Sequence, residues 1–278
     1  MFTVLRIDER QNEGLFCRIL RRFPINSLRL SHNFSGNINI YSLDYISRNG
    51  KVNFKRIERI LRKIGTQVVY CSKREIPENV DIKPFVPLEL RQRLCSNMAI
   101  EVLSIMKEMP RNLRVGIYDP SGDFADLAPF ILKYTDNLCV FTRNLKLYGG
   151  VSENLLHEMG ALLRYSRNVS LLSDCSFIIS PCTIKDRFTP KAQAVILTSA
   201  KPKVYLPCAV YYKYSFRLPR EWQHLCAEDV DSEAFGGALY SLCGVYQIGS
   251  LVPFVCANSE NSHTTLSLKK YLEEQFGT

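Results

Sequence analysis

Leu113-Arg-Val-Gly-Ile-Tyr-Asp119, the turn Pro120-Ser-Gly122 and Leu138-Cys-Val-Phe-Thr-Arg-Asn144 decide the fold of this chain. The first and third stretches are short apolar runs. Between them Phe124, Leu127, Ala128, Ile131 and Leu132 recur at helical spacing, starting from Asp123. Short apolar runs bounded by turn signals read as buried strands, and an amphipathic segment between two of them reads as a βαβ unit. Pro129, inside the first helical pattern, predicts a local kink. A second helix is expected over 151–165, with Leu155, Leu156, Met159, Leu162 and Leu163 as its buried stripe. Residues 175–180, 194–198 and 203–206 are the further strand candidates. Strands separated by helices predict a parallel, doubly wound sheet.

The turn after the first strand reads Asp119-Pro-Ser-Gly-Asp-Phe-Ala125. A turn that holds a dinucleotide needs glycine for its tight bend, for close approach of the pyrophosphate and for helix–strand packing. Only Gly122 is present, and it stands out of the expected register. Pro120 lacks a backbone donor, and Phe124 places a large ring where a small residue should pack. Asp119, Asp123 and Asp126 bring negative charge to a helix N-terminus, where acids stabilise the helix and repel phosphate.

Two further stretches carry a resemblance. Phe141-Thr-Arg-Asn144 ends the second strand in a polar box containing arginine, and Leu171-Leu-Ser-Asp-Cys-Ser-Phe-Ile-Ile179 places an acid-tipped segment ahead of a strand. With them, residues 113–198 resemble the NAD(P)-binding domain of dehydrogenases of the shikimate dehydrogenase and glutamyl-tRNA reductase group. The resemblance implies an α/β fold, a Rossmann-like, mostly parallel sheet preceded by a smaller N-terminal α/β domain. It places a ligand crevice at Asp119, Ser121, Gly122, Thr142, Arg143 and Ser180. If a cofactor binds there, Arg143 suits the 2′-phosphate of NADP; otherwise it reads as a surface arginine paired with Asp119. No local motif in 1–110 matches the catalytic Lys and Asp pair of shikimate dehydrogenase, and no catalytic residue is assigned. The expected protein is a non-catalytic or small-ligand-binding relative of NAD(P)-dependent dehydrogenases, with a working NADP-dependent oxidoreductase as the alternative.

Outward from this module, 46% apolar and 23% charged residues over 278 positions describe a chain able to fill a core. Three parts are expected: a small basic α/β domain at 1–85, a connecting helix within 86–110, and a Rossmann-like domain with C-terminal helices at 111–278. In the first part, a helix is read at 13–23, a strand at 37–43, a helix at 54–64 capped by Asn53 and stopped by Gly65, and a strand at 66–71. Residues 77–87 are the linker candidate. Residues 88–109 form a long helix ended by Pro110, and residues 232–242 and 266–276 are helical. Gly149-Gly150 reads as a flexible turn ahead of a helix.

Charge is uneven along the chain. Residues 1–85 hold 16 Lys and Arg against 8 Asp and Glu, whereas 86–278 hold 20 against 19. The polar side of the 54–64 helix carries Lys55, Arg56, Arg59, Arg62 and Lys63, with Lys51, Lys73 and Arg74 nearby. Such a face fits nucleic-acid phosphates, with Tyr41, Tyr45 and Tyr70 as stacking candidates, or an acidic protein partner. The ten cysteines include no C-x-x-C pair and read as buried hydrophobes rather than zinc ligands or disulfides. Cys175 and Cys182 flank a strand end, where a nucleophilic role would need a lowered thiol pKa. His32 reads as a residue of a polar loop and the freest proton-transfer candidate, and His157 as a boundary histidine. The early charges of the first eight residues and the glycines and proline of 234–259 argue against a signal and a membrane span, so the expected setting is cytoplasmic.

Overall fold

The computed structural model describes residues 2–9, 27–35, 38–47, 51–71, 75–218, 220–223, 226, 230–243 and 251–277. The helix read at 13–23 and the residues Lys73 and Arg74 lie outside the described residues. By its internal contacts the chain forms two compact units, Met1–Pro87 with Pro219–Val245, and Leu88–Leu218 with Tyr246–Thr278.

In the first unit, β1 (Phe2–Glu9) lies parallel to β3 (Ile38–Ser47), which pairs antiparallel with β2 (Ser27–Ser35). Helix α1 (Phe54–Lys63) follows β3. Its N-cap is Asn53, whose side-chain oxygen accepts from Arg56 N at 3.1 Å, and Gly65 beyond its end has φ +78°. The cap supplies an acceptor for an otherwise orphan donor, and glycine takes the left-handed conformation without a Cβ clash. Strands β4 (Val68–Val69) and β5 (Lys83–Pro84) follow, so the expected linker contributes a strand. Tyr70 extends the pairing to β1 through Leu5 N to Tyr70 O and Tyr70 N to Thr3 O, both 2.8 Å. Ile57 and Leu61 of α1 pack with Leu5, Ile7, Leu43, Tyr45, Val69 and Ile82.

The second unit is built on six parallel strands: β6 (Val115–Tyr118), β7 (Leu138–Phe141), β8 (Arg164–Ser166), β9 (Phe177–Ser180), β10 (Val195–Thr198) and β11 (Ala209–Tyr211). Their spatial order is β11-β10-β9-β6-β7-β8, all pairs parallel. Numbered from β6, this is the 3-2-1-4-5-6 order of the Rossmann, doubly wound sheet. Every residue of β6, β7, β9 and β10 is buried, as expected where a parallel sheet is covered on both faces.

The two faces are covered differently. Helix α2 (Leu88–Ser104), the expected connector, lies in this unit and packs on β9 and β10 and on α3 (Leu127–Leu132). Residues 94–99 of α2 are buried all round, and Asn97 is satisfied by donating to Leu251 O at 2.7 Å. The other face holds Tyr118, Cys139, Phe141, Ile178 and Ile196, which alternate with the α2-side residues along their strands. They pack against Leu172 of the 3₁₀ turn Val169–Asp174 and against Ile184, Phe188 and Leu206 from loops. No helix joins β9 to β10 or β10 to β11.

Several expectations are corrected. Helix α3 starts at Leu127, so Pro129 falls in the first turn, where no intrahelical donor is lost and no kink is required. The second helix, α4, is Leu145–Met159, six residues earlier than read, and Gly149-Gly150 lies inside it. Gly160 closes it at φ +65°, and residues 164–166 leave the helix to form β8. The buried face of α4 is therefore Tyr148 and Leu155, while Leu156, Met159 and Leu162 are exposed. Lys203-Val-Tyr-Leu206 is a loop, and the strand of that region is β11. Beyond it lie a small antiparallel sheet, β12 (Lys213–Ser215), β13 (Val255–Ala257) and β14 (Ser262–Thr264), and three helices: α5 (Arg220–Gln223), α6 (Ser232–Cys243) and α7 (Thr265–Phe276).

Gly116 in β6 leaves room for the cover of this second face. A Cβ there would stand 2.8 Å from Leu172 Cδ2 and 2.9 Å from Cys175 Sγ. Gly116→Ala is expected to lower the stability of the unit by about 1–3 kcal/mol through overpacking, measured by urea unfolding. Unchanged stability would show that the 3₁₀ turn is free to move away.

Candidate functional site

In open α/β sheets, ligands bind outside the carboxyl ends of the strands, at the point where the strand order reverses. Here that point lies between β6 and β9, with the loop after β7 beside it.

The turn after β6 is organised by its own acid. Asp119 is fully buried. Its Oδ1 accepts from Gly122 N at 2.9 Å, and its Oδ2 accepts from Phe124 N at 3.0 Å and from Tyr148 Oη at 2.8 Å. All three partners are donors, the set that an ionised carboxylate needs. Burial works the other way and leaves the Asp119 pKa above its ordinary 3.8, against the lowering by these hydrogen bonds. The carboxylate therefore sits on the two backbone N–H groups that a bound anion would use. Tyr148, one turn into α4, exists as a partner because α4 starts at Asn144, whose side chain accepts from Leu147 N.

The turn is also tied to the loop after β7. Arg143 N donates to Pro120 O at 3.1 Å, and Asn144 Nδ2 donates to Ser121 O at 3.3 Å. Gly122 has φ +90°, and a Cβ on it would stand 2.7 Å from Leu147 Cδ2. Ser121 Oγ turns to Asp123 Oδ2 at 2.6 Å. Thr142 is fully buried and accepts from Asn144 N at 3.1 Å.

Across the reversal point, the loop after β9 folds back onto β6. Ser180 is fully buried and its Oγ donates to Cys182 O at 2.7 Å; the Cys182 thiol donates to Tyr118 O at 3.6 Å. Tyr118 Oη donates to Asp186 Oδ2 at 2.6 Å and accepts from Lys185 N at 3.2 Å. Asp186 Oδ1 takes Arg143 Nη2 at 2.6 Å, so the partner of Arg143 is Asp186 and not Asp119. Burial, with the hydrogen bond to Asp186, pushes the Tyr118 hydroxyl up to about 12.

Of the six expected crevice residues, Asp119, Thr142 and Ser180 thus have no exposed surface, Gly122 is packed under Leu147, and Ser121 and Arg143 are bonded at the rim. Tyr118, Asn144, Tyr148 and Asp186 were not anticipated. Asn144 had a readable signal, a capping residue just ahead of an apolar-periodic segment. Asp186 had none, because only the path of the β9 loop brings it to β6.

The thiols are not activated at this end of the sheet. Burial pushes Cys182 up to about 11; at the opposite end of the sheet, ahead of β9, Cys175 is raised by its hydrogen bond with Cys139 and by burial, and the same bond lowers Cys139 to about 7. His32 lies in β2, stacked on Tyr41 at 4.5 Å, rather than in a loop, and His157 is exposed in the last turn of α4. Among the described residues, no group of three or more His, Cys, Asp or Glu is placed to hold a metal ion, and no helix is long and apolar enough to cross a membrane.

No protein-family model matches the chain, and no curated protein matches it. Among solved structures it is similar to an NAD-dependent malic enzyme from Thermotoga maritima, at 13% identity and TM-score 0.30, over 76% of this chain and 65% of that one. It is similar to an L-tryptophan dehydrogenase from Nostoc punctiforme at 11% identity and TM-score 0.26, over 71% and 61%. A shikimate dehydrogenase in complex with NADP+ aligns at 9% identity and TM-score 0.28, over 100% and 96%. The chain spans less than two thirds of the first two. The fold rests on the order and direction of its own six strands.

Two outcomes follow from the Asp119 arrangement. Tyr148→Phe removes one hydrogen bond to a buried charged group and is expected to cost about 1.5–3 kcal/mol, read by chemical denaturation. The raised pKa means that the unfolded chain releases this proton first. Stability is therefore expected to fall as pH rises from 3.8 through the raised folded value, a slope that Asp119→Asn should flatten.

Proposed function

We propose that the second unit is a Rossmann-like domain that does not bind a dinucleotide in the usual way, a non-catalytic relative of NAD(P)-dependent dehydrogenases. One observation carries this reading: Asp119 occupies the N–H groups of Gly122 and Phe124, the donors that a pyrophosphate would need. A phosphate entering there has to displace a buried carboxylate held by three hydrogen bonds. It also meets a helix, α3, of six residues that starts only at Leu127.

The absence of helices between β9, β10 and β11 supports the same reading, because the second half of the fold lacks the covering layer of its first half. Arg143 is the feature that favours the alternative, a working NADP-dependent oxidoreductase. It stands at the end of β7 where a 2′-phosphate would be met, yet its guanidinium is committed to Asp186 at 2.6 Å.

A thermal-shift and calorimetric screen with NAD+, NADP+, mononucleotides and sugar phosphates tests this. No stabilisation by either dinucleotide is expected, and a response to a mononucleotide or sugar phosphate would identify a small ligand of the same strand ends. Stabilisation by NADP+ that disappears in Arg143→Ala would overturn the proposal in favour of the oxidoreductase.

A further inference from the structure

The basic side of α1 in the first unit is not used by the site described above. Lys55, Arg56, Arg59, Arg62 and Lys63 are all exposed on a helix of ten residues with one acid, Glu58. Glu58 and Asp81 are both spent on Arg62, at 2.7 and 3.7 Å. Lys55, Arg59 and Lys63 stand at positions i, i+4 and i+8, one straight row with neighbours about 6 Å apart along the axis. Among the described residues the side chains of these three make no hydrogen bond or ion pair.

Only Lys63, a cation in the last turn, favours the helix that carries the row. Like charges at i and i+4 repel, and Lys55 and Arg56 stand in the first turn, against the positive end of the helix dipole, where α1 has no acid. A cleft of about 550 Å³ opens at the head of the row, lined by Lys51, Val52, Asn53, Phe54, Lys55, Pro77, Asn79 and Val80. The cations thus face outward at a cost to local stability, which is the pattern of a surface matched to an external polyanion.

Two observations select the partner. The apolar side of α1 is turned to the core, with Ile57 and Leu61 buried and Phe54, Ile60 and Ile64 packed against it, so the helix presents its charged side rather than an apolar face suited to a lipid interface. The aromatic residues that could have stacked unpaired bases are occupied. Tyr45 is buried with its hydroxyl accepting from Asn53 N, Tyr41 is stacked on His32, and Tyr70 donates to Asp231. Phe54, at the head of the row, packs against the core, and a cationic row whose described neighbouring rings are so engaged suits a regular phosphate backbone rather than a single strand. We infer that the Lys55–Arg59–Lys63 face of α1 binds the phosphate backbone of a nucleic-acid duplex without regard to sequence.

The test is fluorescence anisotropy of the full chain with short random-sequence DNA and RNA duplexes, a single strand and phosphatidylserine vesicles as probes. With three to five phosphates neutralised, log Kobs against log salt is expected to fall with a slope of about −2.7 to −4.5. Affinity then drops about 40- to 500-fold between about 50 and 200 mM salt. The relative affinity of the two duplexes assigns the source. The triple replacement Lys55→Gln, Arg59→Gln and Lys63→Gln keeps helix propensity and should abolish binding without lowering the melting temperature or changing the circular dichroism. Undetectable duplex binding at low salt would overturn the inference. So would binding that survives the triple replacement, a single strand preferred over either duplex, or attachment to vesicles alone.

Discussion

Three hydrogen bonds onto one buried carboxylate organise the second unit. Asp119 is held by Gly122 N, Phe124 N and Tyr148 Oη, and through them it joins the end of β6, the turn after it and the start of α4. A buried charge is tolerated only when it is hydrogen-bonded, so the turn cannot open without exposing or stranding this group. The position of the acid also decides which donors of the turn are taken. In a dinucleotide site, backbone N–H groups at the strand end wait for an anion from outside. Here the anion is part of the chain.

The rest of the carboxyl edge follows from the same economy of donors and acceptors. Ser180 and Thr198 both turn their hydroxyls to Cys182 O, and Tyr118 binds the loop after β9 through Asp186 and Lys185. Each of these polar groups lies where parallel strands end and a ligand crevice would begin. They are satisfied by neighbouring backbone and, for Tyr118, by the Asp186 carboxylate as well. Ser199 Oγ is the exception on this edge: it is buried and has no partner.

Legibility in the sequence tracked the strength of the local signal. The four central strands were readable because a strand buried on both faces must be a continuous apolar run, and β6, β7, β9 and β10 are such runs. Helix α1 was readable to the residue at its start because Asn53 and Gly65 mark its ends with distinct chemistry. Helix α4 was displaced because two glycines look like a turn, whereas in the structure both lie inside the helix, at positions where a Cβ would meet at most an ordinary contact. That displacement hid Tyr148, and with it the third partner of Asp119. That the turn after β6 carries acids was plain from Asp119 and Asp123 in the sequence. What replaced the phosphate was not, because pairing Asp119 with Tyr148 and Arg143 with Asp186 spans 29 and 43 residues of chain.

The two units handle charge in opposite ways, and the contrast bears on which of them meets a partner. In the second unit, Asp119 and Asp186 are drawn into hydrogen-bonded networks with Tyr148, Tyr118 and Arg143, so that local charge is cancelled where it is least solvated. In the first unit, Lys55, Arg59 and Lys63 stay in water, uncompensated and mutually repelling on a short helix. Internal networks specify a fold; an uncompensated row contributes little to one. Hydrogen-bonded networks fix the strand ends of the second unit, whereas Lys55, Arg59 and Lys63 of α1 keep their donors turned to water.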